Sequence, residues 1–510
     1  MLPFWRIRRD PSVVTNLKTV DKDLKRIVQL EKATIYTGQR NLNLGFGLVF
    51  LICVWAFTYI ATGGGDSYAV LAIAAVIGGY MAMNIGANDV ANNIGPAVGS
   101  KALSLIGALM IAAIFEAAGA LIAGGDVVTT ISKGIINPDS FVDKGVFIWA
   151  MLAALLSAAV WVNLATFIGA PVSTTHSIVG GVMGAGIAAA GFVAVDWVVM
   201  SKIAASWVVS PVLGGIIAAA FLAFVKFFIL YREDKISAAK RWVPVLVAIM
   251  ASAFAMYLVM KGLKRVWKPD TGMILLIGAV AFVATYLVVK NAVAKAAVNL
   301  ENRRRSVGNL FTIPLICAAC LLSFAHGSND VANAVGPLAA IVSVATGGEV
   351  AAKVELPLWV LAIGAIGISV GLLLFGPKII EIVGEKITRL DRVRAYCVAL
   401  SAAITVIIAS TLSLPVSSTH IAVGAVFGVG FLREFITNRR GNIPTSNRVR
   451  APSQSEANDG VVYKKWVKAR QKKLVRRRHL LTIVAAWLIT VPASALLAAM
   501  LFFVISSIAA

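Results

Sequence analysis

Charged residues are scarce in this 510-residue sequence: Asp, Glu, Lys and Arg make up 14% of it, and 59% of the residues are apolar. Soluble domains carry about 25% charged residues. Cysteine is also rare, and the four present (Cys53, Cys317, Cys320 and Cys397) lie in apolar stretches. The first scarcity excludes a soluble enzyme, a disordered chain and a fibrous repeat, and the second excludes a disulfide scaffold. The composition therefore predicts an all-α, polytopic membrane protein.

Acidic residues are the rarer of the charged groups, with 24 Asp and Glu against 47 Lys and Arg. A net charge of +23 in a soluble protein would indicate nucleic acid. Here the basic residues cluster between apolar stretches, where they indicate which loops lie on the cytoplasmic side of a membrane. We therefore expect no nucleic-acid partner. With the N-terminus in the cytoplasm, 39 of the 47 basic residues fall on the inner side, as the positive-inside rule requires. We expect a multi-pass protein of the inner or plasma membrane.

About 20 apolar residues span a bilayer as a helix, and the sequence supplies 12 to 13 such segments. No cleavable signal peptide is apparent, because the first long apolar stretch starts near Gly45. The segments run over 45–63, 68–86, 102–124, 146–169, 171–191, 205–231, 242–260, 271–289, 310–326, 357–376, 395–412, 414–432 and 480–507.

Two polar stretches flank or interrupt the apolar segments. The N-terminal stretch has apolar residues at helical spacing and predicts an amphipathic cytosolic helix. The second carries 14 Lys and Arg against three acids and predicts a cytosolic loop that can contact anionic membrane lipid. The resulting divisions are the N-terminal extension 1–43, an additional transmembrane helix 44–64, a first repeat 65–191, linking helices 192–309, a second repeat 310–432, the basic loop 433–479 and a C-terminal helix 480–510.

Two short motifs each occur twice, in the same order. GANDVANNIGP (86–96) matches GSNDVANAVGP (327–337) at eight of eleven positions, and PVSTTHSIVG (171–180) matches PVSSTHIAVG (415–424) at seven of ten. Two copies of one structural unit are therefore present. Seven crossings separate the copies of the first motif, and an odd number predicts that the two repeats are inverted in the membrane, as in alternating-access transporters.

Glycine and proline bracket the first motif in both copies, which predicts broken helices at Gly86 to Pro96 and at Gly327 to Pro337. An ionised carboxylate at this depth costs several kcal/mol or more unless it is paired, protonated or bound to a cation. Carboxylate and amide oxygens suit a hard monovalent cation, with Na⁺ at Asp89 and Asp330. The predicted coupling-ion residues are Asn88, Asp89, Asn92, Asn93, Glu116, Asn329, Asp330 and Asn333.

The second motif places three hydroxyl residues after a proline, which is typical of a helix start. Free N–H groups, the positive end of the helix dipole and hydroxyls together form an anion site. The histidine that follows each triplet can donate to the anion or can hold its own helix in place. The predicted substrate residues are Ser173, Thr174, Thr175, His176, Ser417, Ser418, Thr419 and His420.

An anion beside Asp89 and Asp330 is repelled unless a cation neutralises them, so the two motifs together predict symport with Na⁺ or H⁺. The alternatives are a permease for sulfate or another oxyanion and, in a different class, a cation exchanger. An enzyme using Ser and His is disfavoured, because Ser173 and His176 share one turn, and we expect no cofactor.

His326 has no counterpart in the first repeat, since Ile85 takes its place there. We expect it either to carry a proton or to cap a helix.

The four motif copies resemble the inorganic phosphate transporter (PiT) family over about residues 65–191 and 310–432. That resemblance implies inverted repeats, phosphate as substrate with Na⁺ or H⁺, and site roles for the asparagines, aspartates and hydroxyls named above. The Phe115-Glu116 stretch resembles a first-repeat glutamate of the family, and SFAHGSND resembles sodium-coupled members. Ala399 departs from the glutamate expected before the second PVSSTH, which leaves the coupling ion open. Monomer and homodimer also both stay open.

Overall fold

The structure is a computed structural model, and it describes residues 41–65, 67–141, 143–168, 172–262, 267, 269–346, 356–386, 390–439 and 477–509. Nearly all of these residues are helical, and within them the extended pairing is confined to one bridge between Ile136 and Val195. The predicted amphipathic helix and most of the basic loop lie outside the described residues.

Fifteen helices are used below, numbered in chain order. They are α1 Asn41–Thr62, α2 Tyr68–Gly99, α3 Leu105–Ala123, α4 Gly125–Thr129, α5 Lys144–Ile168, α6 Thr174–Ala190, α7 Trp197–Val225, α8 Lys235–Tyr257, α9 Thr271–Ala296, α10 Arg304–Leu310, α11 Thr312–Ala345, α12 Leu358–Lys386, α13 Arg392–Thr411, α14 Ser418–Arg439 and α15 Arg477–Ala509. A π-helical turn, Thr130–Gly134, extends α4.

Twelve described helices are long and apolar enough to cross a membrane, all except α4, α6 and α10. The prediction of an all-α polytopic membrane protein is confirmed, and the twelve helices agree in length and composition with the 12 to 13 segments expected. Below, the near face is the membrane face at which α1 begins, and the far face is the opposite one.

The equivalent helices α2 and α11 run antiparallel. Ser67, just before α2, donates to the carbonyl of Ala345 at the end of α11. Further along, Gly78 of α2 packs against Leu338 and the carbonyl of Ala334. Because these helices carry the two copies of the first motif, their opposite directions confirm that the repeats are inverted.

Each of these helices packs closely against the second helix of the other repeat. A Cβ at Gly327 of α11 would lie 2.0 Å from the carbonyl oxygen of Glu116 on α3, and one at Gly371 of α12 would lie 2.0 Å from that of Met83 on α2. Small residues let membrane helices approach in this way. The two repeats are therefore interlocked around α2 and α11 rather than placed side by side.

The helices α5 and α6 form a hairpin, named hairpin 1, that enters from the far face and returns to it. α6 begins six residues after α5 ends, and Gly181 of α6 packs on Ala154 and Ser157 of α5, as expected for antiparallel helices. The segments before α5 and after α6 also meet, through the bridge between Ile136 and Val195. Hairpin 1 therefore does not cross the membrane, and its tip lies between Ile168 and Thr174.

The helices α13 and α14 form hairpin 2, which enters from the near face. Asp391, before α13, pairs with Arg394 at 2.7 Å, and both interact electrostatically with Arg433 near the end of α14. The tip lies between Thr411 and Ser418. The two hairpins are thus related by the same inversion as the repeats.

The hairpins correct the sequence-based topology. Segments 146–169, 171–191, 395–412 and 414–432 were expected to be four crossings, and each pair instead turns back. Hydrophobic length cannot separate these cases, because a long helix in a deep hairpin is as apolar as a crossing helix. Only hairpin 1 lies between the motif copies, so removing its two crossings leaves their separation odd and the inversion intact.

The predicted breaks in the first-motif helices are wrong. α2 continues to Gly99 with Pro96 inside it, and α11 continues to Ala345 with Pro337 inside it. Proline does remove the N–H that would bond the carbonyl four residues earlier, so the carbonyls of Asn92 and Asn333 lose that partner while each helix goes on. The interruptions occur at the second motifs, at the tips of the hairpins.

Candidate substrate and ion site

The tips of both hairpins meet at Asp89, in the interior of the protein. The Asp89 carboxylate accepts hydrogen bonds from Thr174 of hairpin 1 and Thr419 of hairpin 2, each at 2.9 Å. Asn92 donates to the same carboxylate at 3.3 Å and to the Thr419 hydroxyl at 2.8 Å. One carboxylate of the first repeat thus contacts hydroxyls from the second motif of both repeats.

Asp330 has a similar environment. Its Oδ1 accepts from Asn333 at 2.8 Å and from the Thr175 hydroxyl at 3.3 Å. The same hydroxyl lies 3.0 Å from the carbonyl of Val416 at the tip of hairpin 2. The oxygens around Asp330 therefore come from both repeats and include a main-chain carbonyl from the hairpin tip.

His326 lies between the acidic groups. Its Nε2 is 2.9 Å from Asp330 Oδ2 and 3.8 Å from Asp89 Oδ2, and its Nδ1 is 3.2 Å from Glu116 Oε2. Asn93 donates to the other oxygen of Glu116 at 2.7 Å. All three acids and the histidine are 0% exposed. His326 is not among the residues predicted for the site from sequence, because its position is not repeated.

The helices α6 and α14 both begin at this cluster. Ser173 accepts from the main-chain N–H of His176 at 3.1 Å, and Ser417 accepts from that of His420 at 3.3 Å. Both serines are therefore helix caps. The positive ends of two helix dipoles point toward the carboxylates, and the structure buries the whole of both triplets, Ser418 included.

Two of the predicted asparagines hold the hairpins in place. Asn88 donates to Thr166 of α5 at 2.9 Å. Asn329 donates to Ser410 of α13 at 3.0 Å, and its Oδ1 accepts from the N–H of Val416 at 3.3 Å. These contacts attach each hairpin to the first-motif helix of its own repeat. They favour a positioning role for Asn88 and Asn329 over direct contact with an ion.

The two repeated histidines join the hairpin tips. The ring centroids of His176 and His420 are 4.4 Å apart, and that of Trp207 lies 3.8 Å from His176. The Trp207 indole also donates to the carbonyl of Pro415 at 3.3 Å. This packing favours the interpretation in which the histidines hold their helices; donation to an anion stays a prediction.

Acidic groups outnumber basic groups in this cluster. Burying one ion costs several kcal/mol unless partners compensate it, and three carboxylates here face one imidazole. Asp89, Asp330 and His326 have ligand atoms within 4.8 Å of one another. Carboxylate, hydroxyl and carbonyl oxygens are the ligands of hard cations. The donors around Asp89 and Asp330 therefore fit a small hard cation.

Inverted repeats, paired hairpins and a buried polar cluster where the repeats meet are features of membrane transporters, and the protein is a multi-pass membrane protein. The sequence profile of the phosphate transporter family matches residues 85–498. The chain belongs to this family, whose members are transporters rather than enzymes.

Relatives and a solved structure agree with this assignment. The chain is 46% identical over 524 residues to a Helicobacter pylori protein named "Putative phosphate permease", with 94% of this chain and 98% of the relative covered. A Pyrococcus abyssi protein with the same description is 36% identical, with 85% and 97% covered. The structure of a sodium-dependent phosphate transporter superposes with a TM-score of 0.74 at 36% identity, covering 86% of this chain and 100% of that one.

Proposed function

We propose that the protein is a symporter that moves inorganic phosphate together with a cation by alternating access. The observation that carries this proposal is the direct contact of Thr174 and Thr419 with Asp89. An anion held at the starts of α6 and α14 lies a few ångströms from a carboxylate, where charge repulsion in a poorly solvated site is strong. A co-bound cation removes that repulsion, so the two solutes bind together.

The arrangement of the hairpins supports alternating access. Hairpin 1 enters from the far face and hairpin 2 from the near face, and their tips meet at the cluster. Because the repeats are inverted copies, each can adopt the conformation of the other, which exchanges the side to which the site opens.

We propose Na⁺ as the coupling ion, since the similar solved structure is a sodium-dependent phosphate transporter and the donors around Asp89 and Asp330 are oxygens. His326 gives a specific reason to test H⁺, because it lies within 3.2 Å of two acids. Phosphate uptake into proteoliposomes under an imposed Na⁺ or pH gradient separates the two ions. Uptake that ignores both gradients would refute symport.

Competition by sulfate in the same assay tests the anion. Phosphate symport predicts weak inhibition by an equal concentration of sulfate. Strong inhibition, with sulfate itself taken up, would indicate the oxyanion permease. Cation flux that continues in the absence of phosphate would indicate the cation exchanger.

The threonine hydroxyls provide a graded test of the anion site. We expect Thr175→Val and Thr419→Val each to raise the apparent KM for phosphate uptake roughly tenfold to a hundredfold. A hydrogen bond to a charged group contributes about 1.5–3 kcal/mol. The double variant should bind phosphate more weakly than either single variant. Thr58→Val is the matched control, since Thr58 is buried in α1 and bonds only its own helix. A double variant with wild-type phosphate affinity would place the anion elsewhere.

We further propose that the protein lies in the cell membrane with its near face toward the cytoplasm, because the near-face segments carry most of the basic residues. In a background without the native cysteines, Ser140→Cys should react with an impermeant maleimide from outside intact cells, and Lys240→Cys only after permeabilisation. The reverse pattern would invert the orientation, and labelling of both from one side would contradict the crossing count.

A further inference from the structure

A cavity of about 790 Å³ lies between α1, α2, α5 and α12, toward the near face and apart from the acidic cluster. Asn43 at the start of α1 and Lys378 near the end of α12 mark its near-face end. The family profile begins at residue 85, after α1 has ended. One wall of the cavity is therefore built by a helix that lies outside the family match.

The walls of this cavity suit an apolar occupant. Leu48, Leu51, Met83 and Phe375 line it together with further leucines. A molecule bound here would be surrounded mainly by apolar side chains, an environment similar to that of an acyl chain in the bilayer.

The asparagines of the lining already donate hydrogen bonds to the protein. Asn163 donates to Asn84 at 3.0 Å, and Asn84 donates to the carbonyl of Tyr80 at 2.9 Å. Asn43 donates to the carbonyl of Leu374 at 2.5 Å. An acyl chain can occupy the cavity and leave these bonds intact.

The opening of the cavity combines apolar exposure with one positive charge. Leu48 is 62% exposed and Phe167 is 63% exposed, on helices that cross or enter the membrane, so the surroundings of the opening are bilayer lipid. The Lys378 ammonium lies 6.0 Å from the centre of the Phe167 ring. Lys378 is exposed eight residues before the end of α12, and a long lysine side chain at such a position can extend its ammonium toward the lipid headgroups.

We propose that this cavity binds one acyl chain of an anionic phospholipid whose phosphate pairs with Lys378. The chain would contact Phe167 at the tip of hairpin 1, one residue from the Thr166 that holds Asn88. The bound lipid would thus support the hairpin at its tip. This inference concerns lipid binding and stands independently of the transported solute.

Native mass spectrometry of the purified full chain, titrated with dioleoyl phosphatidylglycerol or dioleoyl phosphatidylcholine, tests the proposal. One phosphatidylglycerol should bind the wild type about fivefold or more tighter than phosphatidylcholine, the contribution of about one basic residue near a membrane surface. Lys378→Gln should abolish that preference. Lys295→Gln, which changes an exposed lysine at the end of α9, is the matched control and should keep it.

A second pair of variants tests whether the cavity holds the acyl chain. Leu48→Trp fills the cavity and should weaken the binding of both lipids, whereas Val49→Trp changes the adjacent residue of α1, which is outside the lining, and should not. Equal lipid binding by these two variants would overturn the proposal, as would a wild type without preference for phosphatidylglycerol. Displacement of the lipid by glycerol 3-phosphate would also overturn it, because the site would then recognise a phosphate ester rather than a chain.

Discussion

Asp89→Asn and Asp330→Asn are each expected to abolish cation-coupled phosphate uptake while the protein still folds and inserts. Asparagine keeps the size of the side chain and one carbonyl oxygen that Thr174, Thr419 or Thr175 can donate to. It removes the negative charge that faces the cation. Removing one partner of a buried charge pair costs about 3–5 kcal/mol, which corresponds to a loss of cation affinity of more than a hundredfold.

The measurement is phosphate uptake into proteoliposomes as a function of Na⁺, together with the thermal stability of the purified variants. Asp139→Asn is the matched control, since Asp139 is exposed in the far-face segment before α5. Wild-type uptake and wild-type cation dependence in both site variants would show that the carboxylates do not bind the coupling ion. Loss of uptake with a collapsed stability would instead assign them a structural role.

Gly86→Ala is expected to prevent α2 and α12 from packing, with loss of transport and of most folded protein. A Cβ at Gly86 would lie 2.0 Å from the carbonyl oxygen of Ile368 and 2.8 Å from its carbonyl carbon. Both atoms belong to the backbone of α12, so the whole helix must move. That movement separates the two repeats at the level of Asp89, three residues further along α2.

Gly95→Ala is the matched control for this prediction. It lies on α2 at the other end of the same motif, and a Cβ there would meet nothing within 4 Å. Alanine is the better helix former by about 1 kcal/mol, so this variant should be at least as stable as the wild type. Size-exclusion profiles and melting temperatures of the two variants provide the comparison. Equal behaviour would mean that the interlocking of the repeats does not depend on this contact.

Repetition made much of the site predictable from sequence. The two aspartates were predicted as coupling-ion residues because each occurs in a copy of one motif, and in the structure His326 lies between them, within 2.9 and 3.8 Å of their oxygens. The hydroxyl triplets were placed at helix starts from the prolines before them, and Thr174 begins α6 in the structure. The roles of these residues in binding remain predictions.

The roles that could not be predicted from the sequence are those that depend on which neighbouring helix a residue packs against. Glycine was interpreted as a helix breaker at Gly86 and Gly327, where it in fact lets a neighbouring backbone approach to contact. That use depends on a partner helix hundreds of residues away. A pattern within one segment carries no information about it. His326 was left out of the predicted site for a related reason, because repetition cannot identify a residue that occurs in one copy alone.

The helix α9 contributes to the site without approaching it. Within Thr271–Ala296 only Gly278 and Val293 are buried, so most of the surface of this helix faces lipid. Its main contribution is to reverse the direction of the chain once more before α11 begins. Most of its side chains can therefore be exchanged for other apolar ones at little cost, whereas its deletion would insert everything after it upside down. The second hairpin would then enter from the same face as the first, and the two halves of the site would never meet.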